Sequence, residues 1–213
     1  MEKFKKEIPF IAVALLPFVY LAYIWKELPN QVPMHWNVSG EIDRWGDKSE
    51  LFLMLFMLTG ITYFIFLVIP FIDPKQKLQN MGNKLNNLRM ILTLFMLGLA
   101  VFILYSVQQK SSNPGFVFAI IGLLFAFLGN YFKTIKPNYF IGIRTPWTLE
   151  NEEVWKKTHL MGGKLWFVGG LLMALTFVLP NEIQLYTFLG ITAVISIVPI
   201  VYSYLEFKKI KNQ

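Results

Sequence analysis

Two polar stretches hold most of the residues that could do chemistry in this 213-residue chain. The first, Lys26 to Glu50, contains His35, Trp36, Asn37, Gly40, Asp43 and Trp45. The second, Lys136 to His159, contains Asn138, Gly142, Arg144, Thr145, Pro146, Trp147, Trp155 and His159. His35 and His159 are the only histidines, and cysteine is absent, which excludes thiolate metal sites, disulfides and cysteine catalysis. A cation at His35 could draw on Glu41 and Asp43, but one imidazole with two carboxylates is a poor zinc set. No Walker loop, HExxH, GxSxG or dinucleotide fingerprint is present. A general base needs a nucleophile within reach, and neither histidine has a candidate in its local sequence. The sequence therefore points to no catalytic residue, no metal and no cofactor. What remains is the chemistry of binding.

The elements that carry these stretches are apolar. Hydrophobic residues make up 55% of the chain and charged residues 15%, against about 25% charged in an average soluble domain. Six runs approach the length of a bilayer crossing: Ile8 to Trp25, Leu51 to Ile72, Met90 to Val107, Phe116 to Phe132, Leu165 to Leu179 and Ile183 to Leu205. The first follows a basic head without a small-residue cleavage site, so it reads as an uncleaved span. Pro70 and the Asp73-Pro74 pair are expected to stop the second, and Pro199 to kink the sixth. The fifth is short unless its helix starts earlier, near His159.

Charge orients the runs. Sixteen of the 20 Lys and Arg residues fall in the amino-terminal head (Lys3, Lys5, Lys6), the segment with Lys75, Lys77, Lys84 and Arg89, the second polar stretch and its flanks, and the tail. Four (Lys26, Arg44, Lys48 and Lys110) fall on the other side. Excess basic residues mark the cytoplasmic face, so the net charge of +7 speaks for topology and against direct nucleic-acid binding. The expected fold is all-α, a polytopic membrane helical bundle of six transmembrane helices with both termini cytoplasmic. It divides into 1–72, an amino-terminal two-span unit around loop 26–50; 73–135, spans three and four; and 136–213, the second polar stretch with spans five and six.

Ala119, Gly122, Ala126 and Gly129 put small residues on one face of span four, and Gly163, Gly170 and Ala174 do so on span five. Small stripes let backbones approach closely in lipid, so these spans are expected to be neighbours. None of the six runs contains Asp, Glu, Lys, Arg or His, which speaks against an ion-coupled transporter.

The outward stretch carries Glu27, Glu41, Asp43, Asp47 and Glu50 against three bases. Its two tryptophans among His, Asn and Asp fit a peptide-binding face, and equally an interfacial aromatic belt. In the inward stretch Thr148 reads as an N-cap, with Glu152 and Glu153 placed i,i+4 from Lys156 and Lys157. That predicts a short interfacial helix from Leu149 to Leu160, anchored by Trp147 and Trp155. Gly142 and the Thr145-Pro146 step would form a turn that aims Arg144. The stretch fits an elaborated anchor touching membrane lipids, or a docking surface for a cytoplasmic partner.

The segments PMHWNVSGEIDRWGDK and KPNYFIGIRTPWTLENEEVWKKTH, the latter followed by Gly162-Gly163, resemble those of SdpI-type membrane proteins of Gram-positive bacteria. The resemblance implies a multi-pass cell-membrane immunity protein that protects against a secreted toxic peptide. It also implies, from the family's type member, capture of a cytoplasmic repressor at the membrane. Carried onto this chain, His35, Trp36, Asn37, Gly40, Asp43 and Trp45 would face the toxin. Asn138, Gly142, Arg144, Thr145, Pro146, Trp147, Trp155 and His159 would face the partner. Two other classes are a small-molecule or peptide exporter and an enzyme acting on a lipid or cell-wall precursor. An exporter would carry an internal repeat, and the first three spans do not align with the last three.

Overall fold

A computed structural model of the chain describes residues 2–73, 78, 81–111 and 113–212. Pro74, Lys75 and Lys77, named above, lie outside the described residues. Helix α1 (Glu2–Ile24) leads to a hairpin of β1 (Gln31–Trp36) and β2 (Ile42–Asp47). Helix α2 (Glu50–Ile72) follows, widened by a π turn at Phe56–Gly60. Then come α3 (Asn83–Gln109), α4 (Pro114–Phe132), the short α5 (Pro146–Glu150), α6 (Glu152–Leu175) with a 3-10 turn at Thr176–Val178, and α7 (Asn181–Lys211).

Six of these helices are long and apolar enough to cross a membrane, and the chain is a multi-pass membrane protein. The helices extend past the apolar runs at one or both ends. Pro70 does not stop α2, which continues to Ile72. The fifth span begins at Glu152, well before its apolar run.

Contacts group the chain into two compact units, residues 1–68 with 89–117 and residues 69–88 with 118–213. In the first, Leu21, Ile24, Leu28, Val32, Leu51, Leu55, Leu104 and Val107 form a buried cluster. Val32 belongs to β1, so the hairpin is seated on the helix ends, with Met34 and Trp36 packed against the same cluster. Lys48 ties it further: its ammonium donates to the carbonyls of Trp25 and Leu28 and lies 4.6 Å from the Trp25 ring centre. A cation at the carboxyl end of α1 suits the helix dipole.

The first unit also holds an ion pair within the helices. Arg89, two turns into α3, is buried and donates through both guanidinium nitrogens to Glu7 of α1. Tyr63 donates to the same carboxylate at 3.1 Å, and the Arg89 guanidinium lies 4.1 Å from the Phe10 ring centre. The apolar runs lack charge, but the helices built on them do not. Pairing is what makes that tolerable in an apolar surrounding.

In the second unit α4 and α6 meet through their glycines. A Cβ on Gly122 would fall 2.6 Å from the carbonyl oxygen of Gly170, and one on Gly129 would fall 2.7 Å from that of Gly163. These backbones touch, as the small stripes predicted. Met173, Phe188 and Ile195 close the core between α6 and α7.

Candidate functional site

The two polar stretches fold into two different devices. In residues 26–50, β1 and β2 pair antiparallel, with Val32 opposite Gly46 and Pro33 opposite Trp45, and with irregularities on either side of His35. Asn37 builds the tip. Its side-chain oxygen accepts from the amides of Ser39 and Glu41, its side-chain nitrogen donates to Glu41, and Gly40 takes a φ of 82°. His35 Nδ1 lies 2.6 Å from Asp43 Oδ1, both exposed. Arg44 pairs with Glu50 at 3.3 Å. His35, Asp43 and Trp45 are therefore presented to the surroundings, while Trp36, Asn37 and Gly40 are half-buried and shape the hairpin. Among the described residues no group of three or more His, Asp and Glu side chains is placed to hold a metal.

Residues 136–159 form a loop closed on itself. Asn138, buried, uses its whole hydrogen-bonding capacity. It donates to the carbonyls of Lys136 and Ile141 and accepts from the amides of Phe140 and Ile141. Gly142 takes a φ of 108°, in the region that favours glycine. Thr145, not Thr148, is the N-cap of α5: Thr145 Oγ1 accepts from the Thr148 amide, and Thr148 Oγ1 accepts from the Thr145 amide. Thr148, expected as the cap, sits instead at the third helical position and answers the Thr145 cap reciprocally. Pro146 fits the first helical position, where no N–H is needed. Thr145 Oγ1 also lies 3.0 Å from Ser203 Oγ of α7.

The predicted interfacial helix from Leu149 to Leu160 is also corrected. Asn151 ends α5 and caps α6, accepting from the amides of Glu153 and Val154. From there α6 runs unbroken into the fifth span. Trp155 is not a surface anchor either. It is 2% exposed and its indole N–H donates to the Ile135 carbonyl at 2.9 Å. Trp147 packs instead against Tyr204, with ring centres 5.1 Å apart.

His159 closes the loop. Its Nε2 accepts from the Ile143 amide at 3.0 Å, while Nδ1 lies 2.8 Å from the Trp155 carbonyl oxygen. An amide can only donate and a carbonyl can only accept, so the ring is neutral with its proton on Nδ1. Both nitrogens are occupied within the chain, so His159 has none left for a substrate or a metal. Trp155 stacks on it at 4.1 Å.

Asn138, Thr145, Trp155 and His159 are thus buried and hold the loop's shape. Arg144 and Pro146 are exposed, and Arg144 is aimed by donating to the Tyr139 carbonyl at 2.6 Å. Sequence reasoning assigned Thr148 the wrong role and did not single out Asn151 or Ser203 in this assembly. It also missed Glu206 of α7, which pairs with Lys157 and Lys209. Their signal was tertiary, since each partner lies on another element or is fixed by the fold of the loop.

With this geometry in place, comparison with known proteins is informative. Residues 134–203 match the SdpI/YfhL protein family, and residues 12–59 match a domain of unknown function, DUF1648. The first match spans the closed loop, α6 and most of α7; the second spans most of α1, the hairpin and the start of α2. The chain is 24% identical over 208 residues to "Immunity protein SdpI" of Bacillus subtilis (strain 168), covering 98% of this chain and 99% of that protein. No solved structure matches. The chain is thus similar to the SdpI/YfhL family over residues 134–203 and, along nearly its entire length, to an SdpI immunity protein.

Proposed function

We propose that the protein is a membrane immunity protein that protects the cell carrying it from a secreted antimicrobial peptide. The observation that carries this reading is the end-to-end similarity to an immunity protein. The hairpin supplies the face that meets the toxin. His35, Asp43 and Trp45 are exposed on it, and the surrounding residues 26–50 are acidic, which favours encounter with a cationic peptide over about a Debye length. In this topology both termini and the 136–159 loop face the cytoplasm, as the distribution of basic residues supports. Arg144, Pro146 and Trp147 then form the surface on which a cytoplasmic repressor docks, and the buried residues of the loop hold that surface in place.

The test is survival. The native chain and an Asp43→Ala, Trp45→Ala variant are expressed at matched membrane abundance in a sensitive Gram-positive strain and challenged with the peptide. Both substitutions are at exposed positions, so the fold is retained. Protection by the native chain and its loss in the variant is the expected result. Full protection by the variant removes the hairpin from toxin recognition, and no protection by either sinks the immunity reading. Arg144→Ala is expected to abolish repressor recruitment while leaving survival unchanged.

A further inference from the structure

Where α4 ends and α6 begins, a cavity of about 310 Å³ opens at the polar end of two spanning helices. Its rim carries Lys84, Lys133, Lys136 and Lys156 against a single acid, Glu152. Its wall is apolar and aromatic, with Phe132, Trp155 and Leu160 lining it. Trp155 is fixed there by its bond to Ile135 and by stacking on His159 at 4.1 Å, and Phe132 meets the His159 ring edge to face at 5.7 Å.

The charges around this cavity are left uncompensated. Next to it Lys157 pairs with both Glu153, at 2.9 Å, and Glu206, at 3.3 Å. Lys156, one residue earlier, pairs with no carboxylate among the described residues, nor do Lys84, Lys133 and Lys136. The i,i+4 partner in sequence, Glu152, is not engaged by Lys156. Four ammonium groups around one cavity repel one another unless an anion joins them.

We propose that this cavity binds the phosphate of an anionic membrane lipid, with its glycerol or acyl portion against the apolar wall. Lysine is a compact point charge suited to phosphate, and basic pockets between spanning helices are where anionic headgroups lodge. The site lies where spanning helices meet the polar zone, and Leu160, exposed, continues the apolar wall along α6. A soluble phosphate compound shares the headgroup chemistry but gains nothing from that wall. This inference does not depend on the immunity reading.

The purified full chain is mixed with phosphatidylglycerol or phosphatidylcholine and its retained lipid counted by native mass spectrometry. Phosphatidylglycerol adducts are expected on the native chain and to fall at least about fivefold in Lys133→Gln with Lys156→Gln. The Lys133→Arg, Lys156→Arg pair should retain them, and so should Lys110→Gln, remote from the cavity in sequence. Thermal unfolding without anionic lipid should be the same for all four chains, which separates lost binding from lost fold. Equal retention of phosphatidylcholine, or unchanged phosphatidylglycerol on the double Gln variant, overturns the site. Equal stabilisation by inorganic phosphate alone, dependent on the same lysines, replaces the lipid with a soluble anion and overturns the proposal.

Discussion

Gly142 and His159 are matched to each other: a Cβ on Gly142 would collide with the His159 Nε2 that accepts the Ile143 amide. Gly142→Ala therefore meets both an unfavourable φ and an occupied space. The expected cost is about 1–3 kcal/mol, read as a lower unfolding temperature in detergent. His159→Ala should cost a similar amount by orphaning the half-buried Ile143 N–H. An unchanged midpoint in both would mean the loop is held by something else.

The Glu7–Arg89 pair gives a second expectation. Arg89→Ala leaves the Glu7 carboxylate without its guanidinium, and breaking a pair of this kind costs about 3–5 kcal/mol. Exchanging both partners, Glu7→Gln with Arg89→Met, should recover most of that loss. A double-mutant cycle on unfolding midpoints measures the coupling, and additive losses would show the pair is not energetically linked.

Glycines in this chain should divide sharply by contact. Gly122→Leu forces apart backbones already touching, and the expected loss is about 3 kcal/mol or more. Gly98→Ala in α3 meets nothing within 4 Å, and should raise stability by a fraction of a kcal/mol through helix propensity. Measuring both in one detergent makes the comparison internal.

Asp47, at the hairpin's exit, is held below the usual carboxylate range by hydrogen bonds from the Ser49 hydroxyl and amide. A depressed folded-state value means its contribution is complete above about pH 4, the unfolded value, and is lost as pH falls through the lower folded one. Stability of the native chain relative to Asp47→Asn should therefore be flat at neutral pH and converge below pH 4. Convergence between pH 5 and 7 would assign the effect to another group.

The six spans were legible because lipid demands long apolar runs and little else produces them. The α4–α6 contact was legible from Gly122, Gly129, Gly163 and Gly170 for the same reason. The start of α6 was not, because Glu152 to Lys157 reads as surface until Glu206 of α7 is seen to meet Lys157. The hairpin was hidden by Pro33 and by irregular pairing around His35, which break the two-residue alternation of a strand. In the candidate site, residue identity was readable but role was not. Asn138, Thr145, Trp155 and His159 have side chains suited to binding, yet each spends them on the loop's own backbone or on a neighbouring helix.

The Lys48 tether changes what the hairpin is mechanically. A strand pair joined only through its two ends would swing freely and absorb any pull as slack. Here an ammonium holds the carbonyls of Trp25 and Leu28, and Val32 is sunk among the helix ends. A load applied at the tip is passed to the last turn of α1, so the hairpin works as a rigid lever and not as a tassel.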